Sequence, residues 1–204
     1  MIKKFASDAL GLSDIGKVIA PYDYHKTESN DYLLSEKGER IFYLIKTKTD
    51  EYCFTNLAII HVDGDSTVNK KRIIKRYDYK FYTLRQVSFE TAGTTDVDIE
   101  VNFTIGETAL NIEIHKNFSD KAKELYKSLV TIERIMRENE KNRNYMFDSL
   151  EYAARSMTSS GYGQTSPGET FKTIAEFTKR WLQESNNTYS IGDYGDVFDL
   201  FMKS

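Results

Sequence analysis

The densest group of chemically capable side chains lies between Asn69 and Lys80, where Lys70, Lys71, Arg72, Lys75, Arg76 and Lys80 surround a lone Asp78. Ammonium and guanidinium groups at this spacing suit charge-assisted hydrogen bonds to a phosphate or an anionic lipid headgroup. Lys70, Lys71, Arg72, Lys75 and Arg76 are therefore the candidate anion-binding residues. The structural alternative is a solvated strand edge whose charge discourages unwanted pairing.

Other reactive residues are scattered. His25, His61 and His115 are far apart, and none belongs to a ligand-spaced pair such as H-E-x-x-H. Cys53 is the single cysteine, which excludes an intrachain disulfide and a cysteine-rich zinc site and fits a reducing compartment. Within an apolar run it reads as a small core residue, since a nucleophilic thiol needs an activating base. Gly161, Gly163 and Gly168 match neither phosphate-loop pattern, and no strand precedes them. The sequence thus predicts no catalytic residues, no metal site and no cofactor, and the reading is of a protein that is not an enzyme.

Composition narrows the partners. Lys plus Arg number 28 against 31 Asp plus Glu, a net charge of −3 that supplies no general attraction to nucleic acid. With 40% hydrophobic and 13% aromatic residues the chain has enough apolar surface to fold. No apolar stretch is long enough to span a bilayer and the first residues lack a signal-peptide core, so the expected location is cytoplasmic.

The elements that would position these groups follow from periodicity. Ile2, Phe5, Ala9 and Leu12, then Ile15, Val18 and Ile19 before Pro21, predict short helices and a polar loop. Arg40–Lys46, Glu51–Thr55, Leu57–Val62, Arg72–Tyr77 and Gln86–Thr91 are rich in aromatic and β-branched residues and read as strands, with a turn at Asp63-Gly64-Asp65. Val97 to Ile105 alternates apolar and polar, Gly106-Glu107 suits a type II′ hairpin, and Leu110, Ile112 and Ile114 continue in the opposite phase. At Phe118 the period changes: Phe118, Ala122, Leu125, Leu129, Ile132 and Met136 form one stripe of a long amphipathic helix, the natural cover for a twisted sheet. Glu138 to Asn144 is polar throughout and reads as a linker. Two helices follow, one carrying Met146, Leu150, Ala153 and Met157. The other is opened by the capping box Ser166-Pro167-Gly168-Glu169 and buries Phe171, Ile174, Phe177, Thr178 and Trp181. An Asn186-Asn187 break precedes a short tail with Val197, Phe198, Leu200 and Phe201.

This order of elements resembles a pleckstrin-homology (PH) domain and, more narrowly, the bacterial PH domain family with a YvbH-like C-terminal helical extension. The match rests on the strands from Glu39 to His115, the helix from Phe118 to about Arg137 and the hairpin from about Tyr145 to Glu184. The fold class it implies is α+β: a PH-like, seven-stranded antiparallel β-barrel or sandwich capped by a C-terminal helix and followed by a helical hairpin. The expected division is residues 1–38 (N-terminal helices and loop), 39–139 (PH-like β domain with its capping helix) and 140–204 (YvbH-like hairpin and tail). Some members of the family assemble into homo-oligomeric rings through their PH-like domains, so the resemblance implies a self-associating interaction scaffold, with another protein as a further possible partner. Binding of an anionic membrane surface or a phosphate ligand through Lys70 to Lys80 is the alternative. PH domains that bind phosphoinositides concentrate their basic residues around the first hairpin, where this chain has Lys46 and Lys48 followed by Asp50 and Glu51.

Overall fold

The computed structural model describes residues 14–64, 72–91, 98–159 and 167–202. The readings made for Ile2 to Leu12, Asp65, Lys70, Lys71, Val97 and Ser166 fall outside the described residues, as does the side chain of Met157. The chain forms two compact units, one comprising the residues up to Glu133 together with those from Gly192 onward, the other Arg134–Ile191.

The first unit contains two antiparallel sheets. Strands β1 (Lys17–Val18), β2 (Ile41–Lys46), β3 (Glu51–Thr55), β4 (Ala58–Asp63) and β5 (Ile73–Asp78) lie side by side in sequence order. Strands β6 (Leu84–Glu90), β7 (Asp98–Ile105) and β8 (Thr108–His115) form the other sheet. Among the described residues the eight strands do not close into a barrel. β5 and β6 are joined by a turn, and a parallel bridge between Gly16 and Ile114 links the two sheets. The count exceeds the expected seven because the segment around Val18, read as helical, is extended and pairs with the edge of β2. Its apolar residues find a sheet edge to complete, and tertiary pairing overrides a weak helical period. Gly16 makes this passage possible, since a Cβ there would lie 2.7 Å from the Glu113 carbonyl oxygen and from the Ile45 side chain.

Burial explains the different textures of the strands. In β7 every second residue is buried and the others face outward, the signature of a sheet with one wet face. In β4 all residues from Ala58 to Val62 are buried, because the larger sheet is covered on both sides. Its outer cover is the region read as a polar loop. Three short 3-10 turns, Pro21–Lys26, Ser29–Tyr32 and Ser35–Lys37, lay Ile19, Tyr24 and Leu33 over Leu44, Cys53 and Ile60. Gly106 opens the β7–β8 hairpin at φ 60°, the conformation a type II′ turn needs at its first central residue.

Helix α1 (Ser119–Ser159) carries the predicted stripe, with Ala122, Leu125, Leu129, Ile132 and Met136 all buried. Its early turns bridge the two sheets. Tyr43 of β2 reaches Glu124 at 3.5 Å, and Tyr126 stands 5.4 Å from the Phe89 ring of β6. Glu133 accepts hydrogen bonds from the amides of Gln86 (2.9 Å) and Val87 (3.4 Å), where β6 bulges and Gln86 adopts φ 57°.

Two expectations for the helical region change. Glu138 to Asn144 is not a linker: α1 runs through it without interruption. The stretch contains neither Gly nor Pro, and Glu, Lys and Arg are good helix formers, so a polar stripe all round marks solvation rather than a break. Nor do Asn186 and Asn187 end the next helix, α2 (Pro167–Tyr189). Helix α3 (Gly195–Phe201) completes the chain and packs within the β unit, so the tail expected with the hairpin lies in the other compact unit.

Candidate functional site

Three described members of the basic cluster, Arg72, Lys75 and Arg76, are engaged with carboxylates. Arg76, on β5, forms a two-pronged pair with Glu39, 3.0 Å on each arm, and a further bond to Asp78 at 2.8 Å. Glu39 is buried beneath the 3-10 cover and also accepts from the Leu34 amide and the Thr55 hydroxyl, both at 2.6 Å. Arg72 pairs with Glu28 at 3.2 Å and donates to the Thr49 carbonyl at 2.9 Å, while Lys75 holds Asp63 at 2.9 Å. Arg72 and Arg76 thereby pin the cover to the sheet.

A second carboxylate does the same at the other end of β3. Glu51 is fully buried and accepts from the amides of Glu28 and Ser29, the Ser29 hydroxyl and the Lys46 ammonium. Burial by itself pushes its carboxyl up, but the charge and hydrogen bond of Lys46 and the two amides outweigh that and hold it below its ordinary 4.5. Sequence reading missed both Glu39 and Glu51. The available signal was a carboxylate at each end of strongly apolar strands, where an unpaired charge is not tolerated.

The three histidines are not brought together. His25 is exposed on the first 3-10 turn. His61 is buried, stacked on Tyr52 at 4.6 Å with Nε2 3.5 Å from Asp50, and His115 Nδ1 accepts from the Asn117 amide at the turn into α1. Cys53 is buried and its thiol is pushed well up by desolvation, away from the reactive thiolate.

The hairpin unit presents a different kind of surface. The α2 residues Phe171, Ile174, Phe177, Thr178 and Trp181, expected to be buried, are not. Phe171 is 74% exposed, Phe177 52% and Trp181 37%, whereas Ile174, Thr178 and Leu182 are half-buried. Phe177 and Trp181 lie one helical turn apart with ring centroids 5.7 Å from each other. Phe171, Ile174, Ala175 and Leu182 line a shallow groove of about 630 Å³. On the α1 side Met146 and Leu150 are half-buried, while Phe147 is exposed beside Leu182 and Ser185. The apolar face is thus incompletely covered by its neighbouring helix: Phe177 and Trp181 form a flank left in water, and Phe171, at the start of α2, is exposed as well. Among the described residues, no helix is long and apolar enough to cross a membrane.

Two facing antiparallel sheets sealed by an amphipathic helix define a PH-like domain, and the two antiparallel helices of the second unit define an appended hairpin. Residues 9–133 match the bacterial PH domain family and residues 144–203 the YvbH-like oligomerisation region. The chain belongs to the bacterial PH domain family and carries that oligomerisation region. It is 44% identical, over 204 residues and the full length of both chains, to the uncharacterized protein YvbH of Bacillus subtilis (strain 168). It is also similar to the crystal structure of a PH-domain-containing bacterial protein from Exiguobacterium sibiricum 255-15. That match has a TM-score of 0.84 and 39% identity, and covers 93% of this chain and 100% of that one.

Proposed function

We propose that this protein is a non-enzymatic scaffold that self-associates through its helical hairpin, presenting its PH-like unit as the body of each subunit. The observation that carries the reading is the exposed aromatic pair Phe177 and Trp181, with Phe171 exposed nearer the start of α2, inside the segment that matches the oligomerisation region. The hairpin leaves Phe177 and Trp181 uncovered, whereas hairpins packed against one another form a bundle in which each helix gains a second neighbour. This puts the proposed contact on α2 and not on the PH-like domains through which the resemblance implies assembly. The alternative, anion capture between Lys70 and Lys80, draws less support, because Arg72, Lys75 and Arg76 already hold carboxylates.

Light scattering at tens of micromolar protein tests the proposal. The wild-type mass is expected to be a multiple of 23.6 kDa. Replacing Phe177→Asp and Trp181→Asp together should return it to one chain with the β-sheet circular dichroism intact. A wild-type mass of one chain would refute self-association, and an undiminished mass for the double variant would move the interface elsewhere.

A further inference from the structure

The oligomerisation region extends to residue 203, but its last part lies with the β unit, not with the hairpin. Helix α3 is seven residues long, too short to hold helical form alone, so the surface beneath it must stabilise it. Tyr194 and Phe198, one helical turn apart, are its buried anchors. The Phe198 ring stacks on Phe42 at 4.9 Å and meets Tyr43 at 6.1 Å, and the Tyr194 ring stands edge-on to Tyr79 at 5.4 Å. Asn56, in the β3–β4 turn, accepts the Tyr194 amide on its carbonyl at 2.8 Å and donates its side-chain amide to Asp193 at 2.8 Å. Arg40, just before β2, pairs with Asp199. The segment therefore sits on the β unit as a short peptide ligand would, two aromatic anchors flanked by carboxylates in a receptor with an arginine and an asparagine. Between α2 and α3 the chain is non-helical from Ser190 to Tyr194, with Gly192 inside it.

We propose that this receptor accepts the tail of a second copy of the chain, so that residues 193–202 are exchanged between subunits of the oligomer. The inference rests on the self-association reading above. The docking contacts are the same whether the tail comes from its own chain or a neighbour, so exchange sacrifices none of them. Once hairpins have assembled, a neighbouring receptor is held at high effective concentration. Hairpin contacts alone give residues 192–203 no part in assembly, although the oligomerisation region includes them.

Arg40 and Asp199 are both exposed, so each accepts a cysteine without a change to the core, while Cys53 stays buried. A chain carrying Arg40→Cys would be co-expressed with a differently tagged chain carrying Asp199→Cys, and the purified protein treated with a short bis-maleimide. Exchange predicts a covalent product bearing both tags, and a ladder of multimers from a chain carrying both substitutions. A doubly substituted chain that closes only on itself, with no product joining the tags, overturns the exchange. So does the absence of any cross-link, since the tail would then not be seated beside Arg40. The mass of the same sample separates the two failures. An oligomer linked only within chains leaves self-association standing, and a single-chain mass removes that reading and the exchange with it.

Discussion

Leu129 on α1 and Trp181 on α2 occupy the apolar stripes of amphipathic helices, yet Leu129 is fully buried and Trp181 is more than a third exposed. The difference lies in what each helix faces. The early turns of α1 lie across two sheets that already share an interior, so the stripe from Ala122 to Ile132 is buried against a second layer. In the hairpin unit α2 meets one helix among the described residues, and an apolar face with a single helical neighbour is only half covered. The same periodicity thus makes a core where the chain supplies two layers and an exposed face where it supplies one. The β unit also closes itself in a way the hairpin does not. Its outer sheet face is sealed by the 3-10 segment, with Glu39 and Glu51 satisfying the backbone that lies over it.

The contrast can be broken most directly by Ile112→Asp. Ile112 is buried in β8, and an unpaired carboxylate there should cost about 4 kcal/mol or more, abolishing the cooperative thermal transition of the β unit. A variant that kept a normal transition would show that the β interior is not the stabilising element. A milder test uses acid. The folded pKa of Glu51 lies below its unfolded value, so the stability it contributes is complete above the unfolded value and is lost as pH falls through the folded one. The melting temperature of the β unit should therefore decline once pH drops below about the ordinary 4.5, and a Glu51→Gln variant should show a shallower decline in the same scan. The smallest effect on folding is expected at Trp181→Ala, within about 0.5 kcal/mol of wild type by chemical denaturation, because the ring is exposed. Its assembly should nonetheless weaken by about tenfold in dissociation constant, read by sedimentation, as befits an aromatic anchor at an interface.

Much of the fold was legible in advance. The strands after Glu39 and the stripe from Ala122 to Met136 follow from alternation and helical spacing, because a strand or helix that buries one face must write that face into its residue types. What escaped was set by partners distant in the chain. Residues 17–18 became a strand because β2 offered an edge, and the polar-looking stretch after Pro21 became a lid because Glu39 and Glu51 hold it from below. The candidate surface was legible in its residues and not in its fate: Phe171, Phe177 and Trp181 stand out as a hydrophobic face, but nothing local distinguishes a face that is covered within the chain from one that is left open. The docking of Tyr194 and Phe198 on Phe42, Tyr43 and Tyr79 joins positions more than a hundred residues apart, and no local pattern encodes such a pairing.

The sequence by itself determined where the chain is strand and where it is amphipathic helix, because those periods arise from backbone geometry within a few residues. Only the tertiary structure decided which apolar faces close on one another, which carboxylates neutralise Arg72 and Arg76, and which aromatic residues of α2 stay exposed, because each depends on which layers the folded chain brings within contact distance.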